Sequence, residues 1–276
     1  MNLESIKQGG LKAVFDTLED TFKANGIDFY MIGAIARNIW YAKGDVKFLT
    51  TKDVDFAVMI GSREDYKNVR EELFKRGYTE SGTNAFVVIS PEGLQIDLLP
   101  FGALEIDEEV KFEGKGLTSI KVNGFQEVYN MGTADVILET GHQFKIATLP
   151  AIVLLKFIAY DDRPELRFKD ARDIINIIDH YFNLESEFIY ENHADLFGGE
   201  NEDITLEEIS AMVIAREIKK MIRENKDLNL RLARIVSGNI GLMEKSTLIR
   251  NMVNESGKDV EKIAAILEAM LKHLKE

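Results

Sequence analysis

The chain has 276 residues, 45% of them hydrophobic, and a formal charge of −13 from 34 Lys and Arg against 47 Asp and Glu. That length supports one large domain or two ordinary ones with a proper core, and no apolar run approaches the roughly 18 residues of a membrane span. The acidic balance excludes broad, sequence-independent binding to DNA or another nucleic-acid backbone, and the lack of cysteine excludes disulfides, thiolate metal sites, iron-sulfur clusters and cysteine nucleophiles. The four histidines are scattered without ligand spacing, so any metal here is expected to be hard and oxygen-bound. Residues 1–10 are charged and polar where an export signal needs an apolar core, which makes the cytoplasm the expected location and a membrane an unexpected partner.

Leu11, Val14, Phe15, Leu18 and Phe22 recur with a helical period, and Asn25-Gly26 breaks it. Residues 29–32 are short and apolar, a strand that ends in Gly33-Ala34. Ile35, Ala36, Ile39, Trp40 and Ala42 then predict a helix stopping near Gly44. A glycine turn entering a helix is a candidate anion site, because the first-turn amides lack intrahelical partners and the helix dipole adds partial positive charge. A triphosphate fits that description.

Residues 53–60 form the most informative stretch. In a strand, Asp53 and Asp55 leave from one face while Val54, Phe56 and Val58 line the other. Two like charges held a few ångströms apart repel by about 4 kcal/mol at an effective dielectric of roughly 20, so a divalent cation between them is the natural counter-charge.

Ser62 is placed to cap an amphipathic helix that runs through Tyr66, Val69, Leu73 and Phe74 to Gly77. Residues 85–89 and 94–99 read as strands of an antiparallel hairpin across Ser90-Pro91-Glu92-Gly93. The second carries Asp97. If it lies beside the 53–60 strand, three carboxylates converge and offer oxygen ligands to one or two Mg2+ ions, the requirement of in-line phosphoryl or nucleotidyl displacement. Residues 117–122, 134–138 and 143–146 read as further strands.

From Leu149 the pattern turns helical, with helices expected over 151–160, 168–181, 206–223, 229–236 and 260–274 and a loop over 198–203. The expected domains are 1–147 and 148–276. The fold class is α+β, a mixed sheet flanked by helices followed by a mainly helical C-terminal domain.

In order along the chain, Gly33-Ala34-Ile35-Ala36-Arg37, then Thr51-Lys52-Asp53-Val54-Asp55-Phe56, then Ile96-Asp97 resemble the DNA polymerase β-like nucleotidyltransferase superfamily. Within it the chain is similar to the AbiEii-type nucleotidyltransferases, toxins of some bacterial toxin-antitoxin systems. Lys156, Arg163 and Lys169-Asp170-Ala171-Arg172-Asp173 resemble that family's later Lys, Arg and Lys-Asp-x-x-Asp element. The resemblance spans residues 29–178.

What the resemblance implies is a catalytic domain at 1–147 and a helical domain that completes the cleft. Asp53, Asp55 and Asp97 would be catalytic and hold Mg2+, or Mn2+ in its place, with Asp97 also placed to deprotonate an acceptor hydroxyl. Gly33, Ala34, Arg37, Thr51, Lys52, Lys156, Arg163, Lys169 and Asp173 would serve the nucleotide. Ala34 keeps its amide but offers no hydroxyl, so the phosphate grip would differ from that of members with serine there. Plainer readings stand beside these. Lys156 could be a snorkelling side chain, Arg37 could pair with acidic neighbours, and Arg163, Lys169, Asp170 and Asp173 could be a solvated network at a helix start, the reading favoured for Asp170.

The expected activity is metal-dependent transfer of NMP from a nucleoside triphosphate to a hydroxyl acceptor, whether RNA, small molecule or protein, with release of pyrophosphate and with an antitoxin protein as partner. The alternatives are nucleotidylation of an antibiotic of the lincosamide or aminoglycoside type, whose cationic acceptor suits an acidic protein, and a non-catalytic nucleotide- or protein-binding module on the same fold.

Overall fold

The computed structural model describes residues 11–44, 46, 53–103, 109–111, 119–138, 140–198 and 204–275. The chain divides into two compact units, Met1–Tyr129 with Thr133–Thr148, and Asn130–Gly132 with Leu149–Glu276.

The first unit begins with α1 (Leu11–Ala24), which buries the stripe Leu11, Val14, Phe15, Leu18 and Phe22. It continues through β1 (Phe29–Ile32), α2 (Gly33–Tyr41), β2 (Asp53–Met59) and α3 (Arg63–Lys75), and α3 is capped by the Ser62 hydroxyl, which accepts from the Asp65 amide at 3.1 Å. Next come β3 (Thr79–Glu80), β4 (Val87–Ile89), β5 (Gln95–Phe101), the isolated pair β6 (Glu109–Lys111) and β7 (Ser119–Lys121), α4 (Phe125–Met131), β8 (Thr133–Ile137) and β9 (Gln143–Ala147).

Seven strands form one mixed sheet in the order β3-β4-β5-β2-β1-β9-β8. β1 runs antiparallel to β2, whereas β2 and β5 are parallel, as are β1 and β9. A parallel pair needs a crossover, and α3 lies in the long connection between β2 and β5. Phe15, Phe22, Phe29, Phe56 and Phe144 interlock edge to face beneath the central strands, with Phe15 and Phe144 centroids 5.1 Å apart. His142 joins this core. It stacks on Phe144, and its ring nitrogens meet Asp16 Oδ1 at 2.9 Å and the Thr140 hydroxyl at 2.7 Å, a satisfied buried histidine.

The second unit is helical: α5 (Leu149–Asp162), α6 (Phe168–Leu184), α7 (Ser186–Asn192), α8 (Leu206–Met221), α9 (Lys226–Leu242), α10 (Thr247–Ser256) and α11 (Val260–Lys275). α8 starts with a reciprocal capping box, Thr205 with Glu208. None of the described helices is long and apolar enough to cross a membrane. The whole is the α+β architecture expected.

Several elements escaped the periodicity. β3, β6, α4, α7 and α10 were not anticipated, although Ser246 as N-cap and Gly257 as a left-handed C-cap mark the ends of α10. β4 starts at Val87 rather than Ala85, because Asn84 turns its side chain to accept from the Phe86 amide at 2.9 Å. β7 begins at Ser119; residues 117 and 118 lie outside the described set.

Candidate active site

β2 and β5 lie side by side, and their register sets Asp55 directly against Asp97, with Asp53 against Gln95. Val54, Phe56, Ile96 and Leu98 are buried on the opposite face, which fixes the faces that the alternating carboxylates take. Asp55 and Asp97 are half-buried, and Asp53, at the first position of β2, is exposed. The sheet therefore brings Asp55 and Asp97 together and leaves Asp53 two positions along the same strand, toward solvent.

β1 delivers the glycine turn to this pair. Its antiparallel register sets Ile32 against Asp55, so Gly33 arrives at the Asp55 side chain. Gly33 has φ +71°, and a Cβ built there would lie 2.8 Å from Asp55 Cγ and 3.2 Å from Asp55 Cβ. Glycine is needed at this point twice over, for the left-handed backbone and for the close approach. α2 begins at Gly33 with no capping hydrogen bond from the Ile32 side chain and no acidic residue in its first turn. Ala34 is half-buried beside it.

Arg37, expected to reach a nucleotide or pair with acidic neighbours, is packed inside the unit at 1% exposure. Its Nη2 donates to Asn38 Oδ1 at 3.1 Å, and its guanidinium lies 5.6 Å from the Tyr41 ring centre. Thr51 and Lys52 lie outside the described residues.

Sequence reasoning missed two residues on α3, Tyr66 and Arg70, spaced one helical turn apart. The buried Tyr66 hydroxyl donates to the Leu98 carbonyl at 2.9 Å. Burial, helped by the Asp97 charge and opposed by Arg70, pushes its pKa up to about 12, so it stays a neutral donor. The signal was present as a polar tip in the buried stripe of an amphipathic helix, which implies a partner.

Among the described residues, no group of three or more His, Cys, Asp or Glu side chains could hold a metal ion unaided. The strands supply an open carboxylate pair rather than a cage. That donor set suits a hard divalent cation that keeps several waters and takes the rest of its shell from substrate phosphates.

In the second unit the Lys156 ammonium pairs with Asp170 Oδ1 at 2.8 Å and Asp173 Oδ2 at 2.6 Å, joining α5 to α6. Asp170 is buried, contrary to the solvated network favoured for it, because its partner is itself a buried lysine on the facing helix. Burial acts to lower the Lys156 pKa, but Asp170 and Asp173 together outweigh it and the net shift is upward. Asp170 Oδ2 is buried without a hydrogen bond, with Arg167 Nη1 at 3.8 Å. Arg163 is half-buried just after α5, and Lys169 is exposed on the first turn of α6.

One family profile, that of the nucleotidyl transferase AbiEii toxin of type IV toxin-antitoxin systems, matches residues 21–240. The chain belongs to this AbiEii family. It is a nucleotidyltransferase. No curated protein matches it. Among solved structures, the antibiotic-resistance factor ANT(2'')-Ia is similar at 11% identity and a TM-score of 0.37, over 67% of this chain and 94% of that one. An antigenic nucleotidyltransferase-like protein from Paracoccidioides brasiliensis is similar at 14% identity and a TM-score of 0.38, over 80% and 91%. Such low scores carry no argument about activity; the family match carries the assignment.

Proposed function

We propose that this AbiEii-family chain transfers NMP from a nucleoside triphosphate to a hydroxyl acceptor through a divalent-metal site built on Asp55 and Asp97, with Asp53 as the third carboxylate at the solvent side. The observation that carries this reading is the register pairing of Asp55 with Asp97, backed by Gly33 against Asp55.

The first-turn amides of α2, which Ile32 does not cap, bind phosphate oxygens beside Asp55. Asp97 accepts the proton of the acceptor hydroxyl. The acceptor oxygen forms its bond to the α-phosphorus, and the bond from that phosphorus to the bridging oxygen breaks, so pyrophosphate leaves with the electron pair. A bound Mg2+ or Mn2+ supplies counter-charge to the carboxylates and to the phosphates between which the bond breaks. The buried Arg37 supports α2 from inside the unit, and Lys156, tied to Asp170 and Asp173, shapes the α5–α6 pair.

The acceptor is RNA, a small molecule or a protein, and the toxin-antitoxin description of the family supports a cognate antitoxin as partner. Isothermal titration with ATP, GTP, CTP and UTP in Mg2+ tests the reading: one or more should bind, and heat from none of the four would overturn it. Growth arrest on expression is the outcome expected of a toxin, whereas protection of cells against a lincosamide or aminoglycoside would replace it with drug modification.

A further inference from the structure

We propose that Tyr66 and Arg70 of α3 are positioning residues that hold Asp97 in its metal-binding geometry, by closing the edge of β5 where its neighbouring strand gives out. The inference rests on the reading of Asp97 as a metal-side carboxylate.

β4 pairs with β5 up to Val87 opposite Asp97. The next pair in that register would be Phe86 with Leu98, and an antiparallel hydrogen-bonded pair exchanges two bonds. Only one is made. The Leu98 amide donates to the Phe86 carbonyl at 2.8 Å, but the Phe86 amide is taken by Asn84 Oδ1 at 2.9 Å. On the Leu98 side the carbonyl takes a side-chain donor, the Tyr66 hydroxyl, at 2.9 Å. Arg70, four residues on, donates from Nη1 to the Ala85 carbonyl at 2.6 Å, and its guanidinium lies 5.8 Å from the Tyr66 ring centre. Two side chains of one helix thus satisfy the carbonyls on both sides of the interrupted ladder, immediately after Asp97.

Removing the Tyr66 hydroxyl leaves a buried carbonyl without its donor one residue from Asp97. The β4-side edge of the backbone after Asp97 is then held less tightly, and with it the direction in which the Asp97 carboxylate meets Asp55. Partners bonded directly to a metal ligand cost roughly 10- to 100-fold in metal affinity when lost, and these, one step further out, belong at the low end of that range.

The test is Mn2+ titration of the full chain, followed by electron paramagnetic resonance, on the wild type, Tyr66→Phe, Arg70→Gln and Asp97→Asn, with folding checked by circular dichroism. The relevant site is the portion of Mn2+ binding that Asp97→Asn removes. Weakening of that portion by roughly 10-fold in folded Tyr66→Phe and Arg70→Gln is the expected result. Wild-type affinity in both variants overturns the inference while leaving Asp97 as a ligand. Wild-type affinity in Asp97→Asn overturns the reading of Asp97 itself. Failure of both α3 variants to fold would give the pair a purely structural role and likewise overturn the inference.

Discussion

Gly33 and Asp55 are placed so close that only glycine fits: a Cβ at position 33 would lie 2.8 Å from Asp55 Cγ. The close approach sets the glycine turn beside the carboxylate pair and leaves no room for a side chain at position 33. Gly33→Ala is expected to lose about 1–2 kcal/mol from the left-handed backbone alone. The displaced Asp55 should cost more in activity than in stability. Urea denaturation alongside a transfer assay checks this; a fully active Gly33→Ala would remove the contact from the mechanism.

Asp55 and Asp97 stand side by side in register, and like charges so placed repel unless a counter-charge lies between them. In metal-free buffer, Asp55→Asn and Asp97→Asn should each leave the fold as stable or raise stability by about 0.2–1 kcal/mol, the range for like charges facing across strands. Activity should move the other way, with Asp97→Asn falling roughly 10²- to 10⁴-fold through loss of the base. Thermal melts in EDTA, set beside initial rates, separate the two effects. Lower stability in EDTA would mean that the pair is held by something other than a cation.

Much of this site was legible from alternation alone. Asp53, Asp55 and Asp97 interrupt apolar strands at period two, and that pattern fixes their faces whatever the tertiary arrangement. The parallel pairing of β2 with β5 was readable only as a condition, since register between strands some forty residues apart depends on packing. Asp170 was misread because a helix-start aspartate ordinarily faces water, and only the facing helix reveals Lys156 as its buried partner. β3 and β6 were missed because two or three residues give too little periodicity to detect, and α7 because its seven residues bury little beyond Ile189.

Lys156 is 13% exposed and balances two carboxylates, so Lys156→Met should strip them of their counter-charge and destabilise the fold by about 3–5 kcal/mol. The triple replacement Lys156→Met, Asp170→Leu, Asp173→Leu should recover most of that loss. Because the folded pKa of Lys156 is raised, its contribution is fully present below the unfolded value of about 10.4 and is lost as pH rises through the higher folded value. Chemical denaturation of the wild type and the variants tests both statements; a single replacement as stable as the wild type contradicts them.

His193 is buried beside Glu217, 3.3 Å away, and burial holds its pKa below the ordinary range despite that carboxylate. The unfolded chain therefore takes up the proton first. Stability present above about pH 6.5 should fall as pH drops below it, until the folded form also titrates. His193→Gln should flatten that part of the profile. Urea midpoints measured across the range, for wild type and variant, decide it, and identical slopes would assign the acid sensitivity elsewhere.

The most direct test of the central claim is release of pyrophosphate from each nucleoside triphosphate, with α-phosphate label followed into cell-extract acceptors. Wild-type chain should release pyrophosphate in step with label transfer, only with Mg2+ or Mn2+ present, and Asp55→Asn and Asp97→Asn should lose roughly 10²-fold or more of both while remaining folded. Transfer that persists in EDTA, or at the wild-type rate in either folded variant, would contradict the account.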